Sequence, residues 1–192
     1  MITEDLKVVD CLDCDLCLNR NTIVSGFGDP HAKIMFIGEA PGYQENKHGI
    51  PFIGDTGQML NKLLDMFGFS RDKVYVTNII KCRPPNNATP THVQIETCKK
   101  YVIQEINTVK PRIIVPLGGI AFRTLTGNVN LSISQARGIP IPTDKFVILP
   151  MFHPSYVMRN LNDQGVVLLA ITDFRTLVTL YRYIDPLHKT KV

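Results

Sequence analysis

Apolar residues follow two rhythms along this chain, and the alternation between them lays out its elements. Lys33-Ile34-Met35-Phe36-Ile37 is a continuous apolar run, the pattern of a strand buried on both faces, and Gly38-Glu39-Ala40-Pro41-Gly42 ends it in a tight turn. From Gln58 to Gly68 the apolar residues return at helical spacing, with a glycine stop. Lys73 to Ile80 is a β-branched strand, and Pro84-Pro85 then forces an extended loop. Val93, Cys98, Val102, Ile106 and Val109 mark one face of a helix over 91–109, between Pro90 and Pro111. A strand over 112–117 runs into a glycine turn and a short helix at 122–125. Residues 127–143 read as a connection, 145–150 as a last strand and 164–184 as a final helix, with a short helix or lead-in over 1–10. Strands alternating with helices in this order predict a three-layer α/β/α fold around a four-stranded, largely parallel sheet.

Composition narrows the class. With 192 residues, 44% of them hydrophobic and 20% charged, the chain suits one globular domain over 1–192. No sequence run reads as a membrane span of about 20 apolar residues, and the start lacks a signal-peptide pattern. The expectation is a soluble, intracellular (cytoplasmic) protein. A net charge of +4 is compatible with a polyanionic partner and weaker than that of dedicated nucleic-acid binders. Five cysteines, Cys11, Cys14, Cys17, Cys82 and Cys98, are an odd number without a secretory signal, so metal or cluster ligation is a better default than disulfides. Cys11, Cys14 and Cys17 follow one another at Cys-x2-Cys spacing, a common ligand clip, and with Cys82 and Cys98 far along the chain such a ligand set would staple the N-terminal segment 1–25 onto the body.

Three strands end in polar signatures: Glu39 and Glu45 after the first, Asn78 at the second and His153 after the last. Parallel strands share one carboxyl edge, where open α/β sheets bind ligands. An Asn can donate and accept beside an imide, Phe52 can stack on a planar ring, and a His can donate to a carbonyl oxygen. Together they describe a pocket for a pyrimidine.

Gly38-Glu39-Ala40-Pro41-Gly42 with Gly49-Ile50-Pro51-Phe52-Ile53-Gly54, then Asn78-Ile79-Ile80-Lys81-Cys82-Arg83-Pro84-Pro85, then His153-Pro154-Ser155-Tyr156, resemble in order the motifs of the iron–sulfur uracil-DNA glycosylases of family 4. The similarity runs from about Cys11 to Tyr183. The resemblance implies that Cys11, Cys14, Cys82 and Cys98 hold a [4Fe–4S] cluster, with Cys17 not needed; by ligand type alone four thiolates also suit zinc. It implies that Phe52 stacks on the flipped base, that Asn78 reads its polar edge and that His153 contacts O2. Ala40 stands where the best-known uracil glycosylases carry an aspartate, which leaves Glu39, Glu45 or Asn87, in that order, to activate the water. Val157, Met158 and Arg159 would form a loop that wedges into the base stack. Either Glu45 or Tyr43 would wall out the thymine methyl.

The implied activity is hydrolysis of the N-glycosidic bond of uracil in single- or double-stranded DNA by a monomeric, monofunctional enzyme of base excision repair. A non-catalytic iron–sulfur nucleic-acid-binding module of the same fold is the alternative; the pocket residues it would have lost are present. Asn46, Ile50 and Asp55 depart from the family pattern, which often has an acidic residue at the first and basic ones at the other two. The insertion of the covalently trapping relatives is absent after Lys81, so turnover is expected.

Overall fold

The structure is a computed structural model, and it describes residues 6–184; part of the lead-in expected over 1–10 lies outside the described residues. Its strands are β1 (Phe27–Gly28), β2 (Ile34–Gly38), β3 (Tyr75–Asn78), β4 (Ile113–Pro116), β5 (Ile141–Pro142) and β6 (Val147–Ile148). The helices are α1 (Tyr43–His48), α2 (Asp55–Met66), α3 (His92–Val109), α4 (Gly119–Thr126), α5 (Ile133–Ala136), α6 (Pro154–Arg159) and α7 (Gln164–Ile184).

The sheet has six strands in the order β1-β3-β2-β4-β6-β5. The expected four, β3, β2, β4 and β6, are parallel to one another, and β1 and β5 add antiparallel edges. These two edges correct the strand count, and at two residues each they are too short to carry a periodicity. Every residue of β2 is buried because both faces of the sheet are covered, which is why its sequence is a continuous apolar run. Ile34 and Phe36 point into a core shared with Leu60, Leu63 and Leu64 of α2 and Phe174 and Leu177 of α7. Met35 and Ile37 point the other way, toward Val102 and Val109 of α3, Ala121 of α4 and Leu16 of the N-terminal segment. This alternation produces the three layers.

Local sequence sets the boundaries. Thr91 opens α3 with a capping box: its hydroxyl accepts from the Gln94 amide, and Gln94 accepts from the Thr91 amide at 2.9 Å. Lys110, at φ 52°, ends the helix in a left-handed turn before Pro111. Helix α2 starts three residues earlier than its apolar spacing suggests. The short helices α1 and α6 occupy stretches read from sequence as loop. The expectation that nothing approaches a membrane span is also corrected, since α7 has 21 residues and contains an 18-residue window of mean hydropathy 1.2, long and apolar enough by composition. Its buried stripe, Val166, Ala170, Asp173, Phe174 and Leu177, packs on the body of the fold.

Register brings the site together. Gly38 lies opposite Asn78, and Ile37 opposite Pro116, so the chain leaves three adjacent strands at one edge.

Candidate active site and cysteine site

Phe52 adopts φ 56°, a left-handed conformation that strains a bulky residue and persists only where its surroundings enforce it. Three neighbours do so. Glu45, buried, accepts through Oε1 from the amides of Ile53 at 3.0 Å and Gly54 at 2.8 Å. Gly57 lets α2 press against the Phe52 backbone, where a Cβ would collide with the Phe52 carbonyl. Arg71, its guanidinium over the Phe27 ring, donates to the Pro51 carbonyl at 3.4 Å. Gly38 completes the arrangement, since a Cβ there would strike both Asn78 Oδ1 and the Phe52 ring.

The result is a recess of about 230 Å³ lined by Ala40, Gly42, Glu45, Phe52, Thr56, Asn78 and His153. The Phe52 and His153 rings lie 6.0 Å apart between centroids. His153 is the N-cap of α6, and its Nδ1 accepts from the Ser155 amide at 3.2 Å, with Ser155 Oγ 2.8 Å away. An Nδ1 that accepts an amide carries no hydrogen, which assigns the proton of the neutral ring to Nε2. Burial, and then the positive charge of Arg159, push the His153 pKa down to about 4, so the ring is neutral at physiological pH and offers one N–H donor.

Beside the recess, and sharing Ala40, Gly42, Thr56 and His153 with it, runs an open groove of about 1250 Å³ that includes Glu39, Asn87, Tyr156 and Arg159. Glu39 is half-buried; burial raises its pKa, and the positive charge of Arg123 partly offsets that.

The residues expected from sequence therefore separate into two groups. Phe52, Asn78, His153, Ala40 and Glu45 meet at the recess, whereas Glu39 and Asn87 stand in the groove. Asn87 is exposed at φ 54° and accepts from Arg83 Nε at 2.7 Å. Tyr43, 60% exposed and with Arg83 over its ring, is absent from the recess lining, whereas Glu45 lies on it beside Gly42. The loop expected over 157–159 is corrected. Residues 157–159 form the last turn of α6 rather than a loop, and Val157 is buried against Phe152 and Ala170. Met158 is half-buried and Arg159 exposed; the apolar side chain of α6 that reaches the groove is Tyr156, its ring 4.7 Å from that of Phe152. Sequence reasoning passed over Tyr156, although its i,i+3 relation to Arg159 places both on one helical face.

On the opposite face of the sheet, all five cysteines line one cavity of about 340 Å³ with Leu16, Arg20, Ile23, Lys81 and Tyr101. Two N–H groups point at sulfur: Arg20 Nη1 lies 3.5 Å from Cys82 Sγ, and the Lys81 amide 3.3 Å from Cys98 Sγ. Burial raises the thiol pKa values of Cys14 and Cys82 and pushes that of Cys98 up to about 11, so a cation is needed to make them thiolates at neutral pH. Among the described residues no three His, Cys, Asp or Glu side chains gather tightly enough for a single metal ion. The cysteine segment is also tied to α3 directly. Gln94 Nε2 donates to Asp15 Oδ1 at 2.9 Å and Lys100 Nζ to Asp13 Oδ2 at 2.6 Å.

The fold and site define a class: a parallel α/β protein with a recess for a planar, polar ring at its strand ends and a cysteine site behind the sheet. The model of the uracil DNA glycosylase superfamily matches residues 25–175. The type-4 uracil-DNA glycosylase of Thermotoga maritima is 40% identical over 82% of this chain and 83% of its own. That of Archaeoglobus fulgidus is 35% identical over 79% and 80%, and that of Saccharolobus solfataricus 38% over 80% and 75%. The chain belongs to the type-4 uracil-DNA glycosylase family.

Proposed function

We propose that this protein hydrolyses the N-glycosidic bond of uracil in DNA, single- or double-stranded, as a monomer, leaving an abasic site for base excision repair. The observation that carries the reading is His153: Ser155 holds its Nδ1 as an acceptor, so Nε2–H is free to donate beside Phe52 and Asn78.

A base inside a duplex cannot reach a recess at a sheet edge, so the uracil nucleotide is extruded from the stack. Phe52 stacks on the ring, and the Asn78 amide pairs with its carbonyl and imide edge. As the glycosidic bond breaks, negative charge grows on uracil O2, and neutral His153 donates to it without itself losing a proton. Such preorganised donors supply about 10²- to 10³-fold each. The sugar becomes oxocarbenium-like, and Glu39, half-buried and close to the positive charge of Arg123, is placed in the groove to stabilise it and to orient the water. Glu45, with Oε1 held by two amides, serves as wall and brace, and Asn87 and Arg159 line the groove where the DNA strand passes. Cytosine would set its amino group against the Asn78 donor, which costs about 1–3 kcal/mol.

Cys11, Cys14, Cys82 and Cys98 would hold a [4Fe–4S] cluster, whose contribution is to cross-link the N-terminal segment to α3 and to the stretch that follows β3. The thiol-ringed cavity and the two N–H groups aimed at sulfur support this.

The test is incubation with oligonucleotides carrying one uracil, thymine or cytosine, followed by alkali. Strand scission at uracil alone is expected. Scission at none of them would leave a binding module, and a borohydride-trapped adduct would mean an amine nucleophile rather than water.

A further inference from the structure

We propose that Lys81 is a positioning residue that joins the cysteine site to the base recess by clamping the stretch from Asn78 to Cys82. The inference deepens the function proposed above and rests on it for the role of Asn78. Lys81 is 1% exposed, unusual for a side chain that ordinarily keeps its ammonium in water. Its Nζ donates to Thr77 Oγ1 at 2.6 Å, to the Asn78 carbonyl at 2.9 Å and to Glu105 Oε2 at 2.7 Å. All three ammonium hydrogens are thereby used.

The backbone of the same stretch is held from both sides. The Ile79 amide donates to the Gly38 carbonyl at 2.9 Å and the Ile80 amide to the Glu39 carbonyl at 3.1 Å, which ties it to the turn at the recess. The Lys81 amide donates to Cys98 Sγ at 3.3 Å. The Lys81 carbonyl accepts from Val24 at 2.8 Å, and Glu105 Oε1 accepts from Gly26 at 2.9 Å, both within the segment that follows the cysteine clip. Asn78 is the last residue of β3, paired with Gly38, and beyond it the ladder ends. Lys81 folds back three residues and supplies a donor to the Asn78 carbonyl.

A pair kept only for packing could be replaced by neutral groups with no cost to chemistry, and the experiment uses that difference. Lys81→Met removes the donor. Lys81→Met/Glu105→Gln also removes the stranded carboxylate while keeping an acceptor for the Gly26 amide, so it remains folded if the single variant does not. Three quantities are read: iron per chain by absorbance, hydrogen exchange of the 77–82 peptide by mass spectrometry, and single-turnover uracil excision against binding of an abasic-site duplex.

The expected result for the double variant is exchange of Ile79 and Ile80 faster by roughly 10- to 100-fold, with excision slower by a similar factor and duplex binding unchanged. Loss of its iron also supports the coupling, because neither replaced side chain hydrogen-bonds a sulfur. Wild-type exchange together with wild-type excision would overturn it. If the unmodified protein does not excise uracil, the proposed function fails, and the exchange data alone decide whether Lys81 clamps Asn78.

Discussion

Two residues divide the pH dependence between them. Because His153 titrates near pH 4 in the folded protein instead of its usual 6.5, it stays neutral across the working range and contributes no limb to the rate above about pH 5. The linkage has a definite sign. The unfolded chain takes up this proton below about pH 6.5 while the fold refuses it until about 4, so the stability present above 6.5 is lost as pH falls through that window. Glu39 is shifted the other way, upward by burial. The acidic limb of kcat/KM should therefore lie above the ordinary glutamate value and vanish in Glu39→Gln, at a lower plateau, in pH-rate profiles. A limb that survives in Glu39→Gln would assign it to another group. Glu45 has a separate signature: Glu45→Ala strips the acceptor from two amides and should cost about 1.5–3 kcal/mol in urea unfolding while admitting thymine or 5-substituted uracils, whereas Tyr43→Ala should do neither. The strand-end residues were legible in the sequence because the chemistry of a pyrimidine pocket names its residue types. The proton on Nε2 of His153 and the bracing role of Glu45 were not, since both depend on neighbours brought close by folding.

Among the elements, the long ones announced themselves and the short ones did not. Helix α3 could be read from its apolar stripe and flanking prolines, whereas α1 and α6 have six residues each, less than two turns, and are held by tertiary contacts rather than by a pattern. That is why the supposed wedge loop proved to be a helix with Val157 turned inward. Tyr156→Ala should accordingly weaken duplex binding more than Val157→Ala, whose main effect should be a cavity cost of about 1.5–3 kcal/mol in Tm or urea measurements. Helix α5 lines the groove through Ile133 and Ser134, and the segment that ends it is pinned to α7 by Arg137, which pairs with Asp173 on both carboxylate oxygens and donates to the Leu169 carbonyl at 2.7 Å. Asp173 is 1% exposed, so Arg137→Met strands a buried carboxylate. A loss of about 3–5 kcal/mol is expected by denaturant titration.

At the scale of the molecule, one sheet carries two sites on different sides. The recess lies at the carboxyl edge, and the cysteine cavity lies among the helices of one face, with residues 78–82 between them. The alternating order of elements was enough to foresee the three layers and the shared edge, while β1 and β5 escaped because two-residue edge strands leave no rhythm. If four of the five cysteines hold a cluster, the purified protein should be yellow-brown, Cys11→Ser should lose its iron and Cys17→Ser should keep it; zinc in place of iron and sulfide would contradict the ligand set. The central claim is that His153 acts on the departing base rather than on DNA affinity. Its most direct test is single-turnover excision of uracil by His153→Ala, set against duplex binding by the same protein. A rate lower by about 10²- to 10³-fold with unchanged binding is the result the account predicts, and a wild-type rate, or a loss confined to binding, would contradict it.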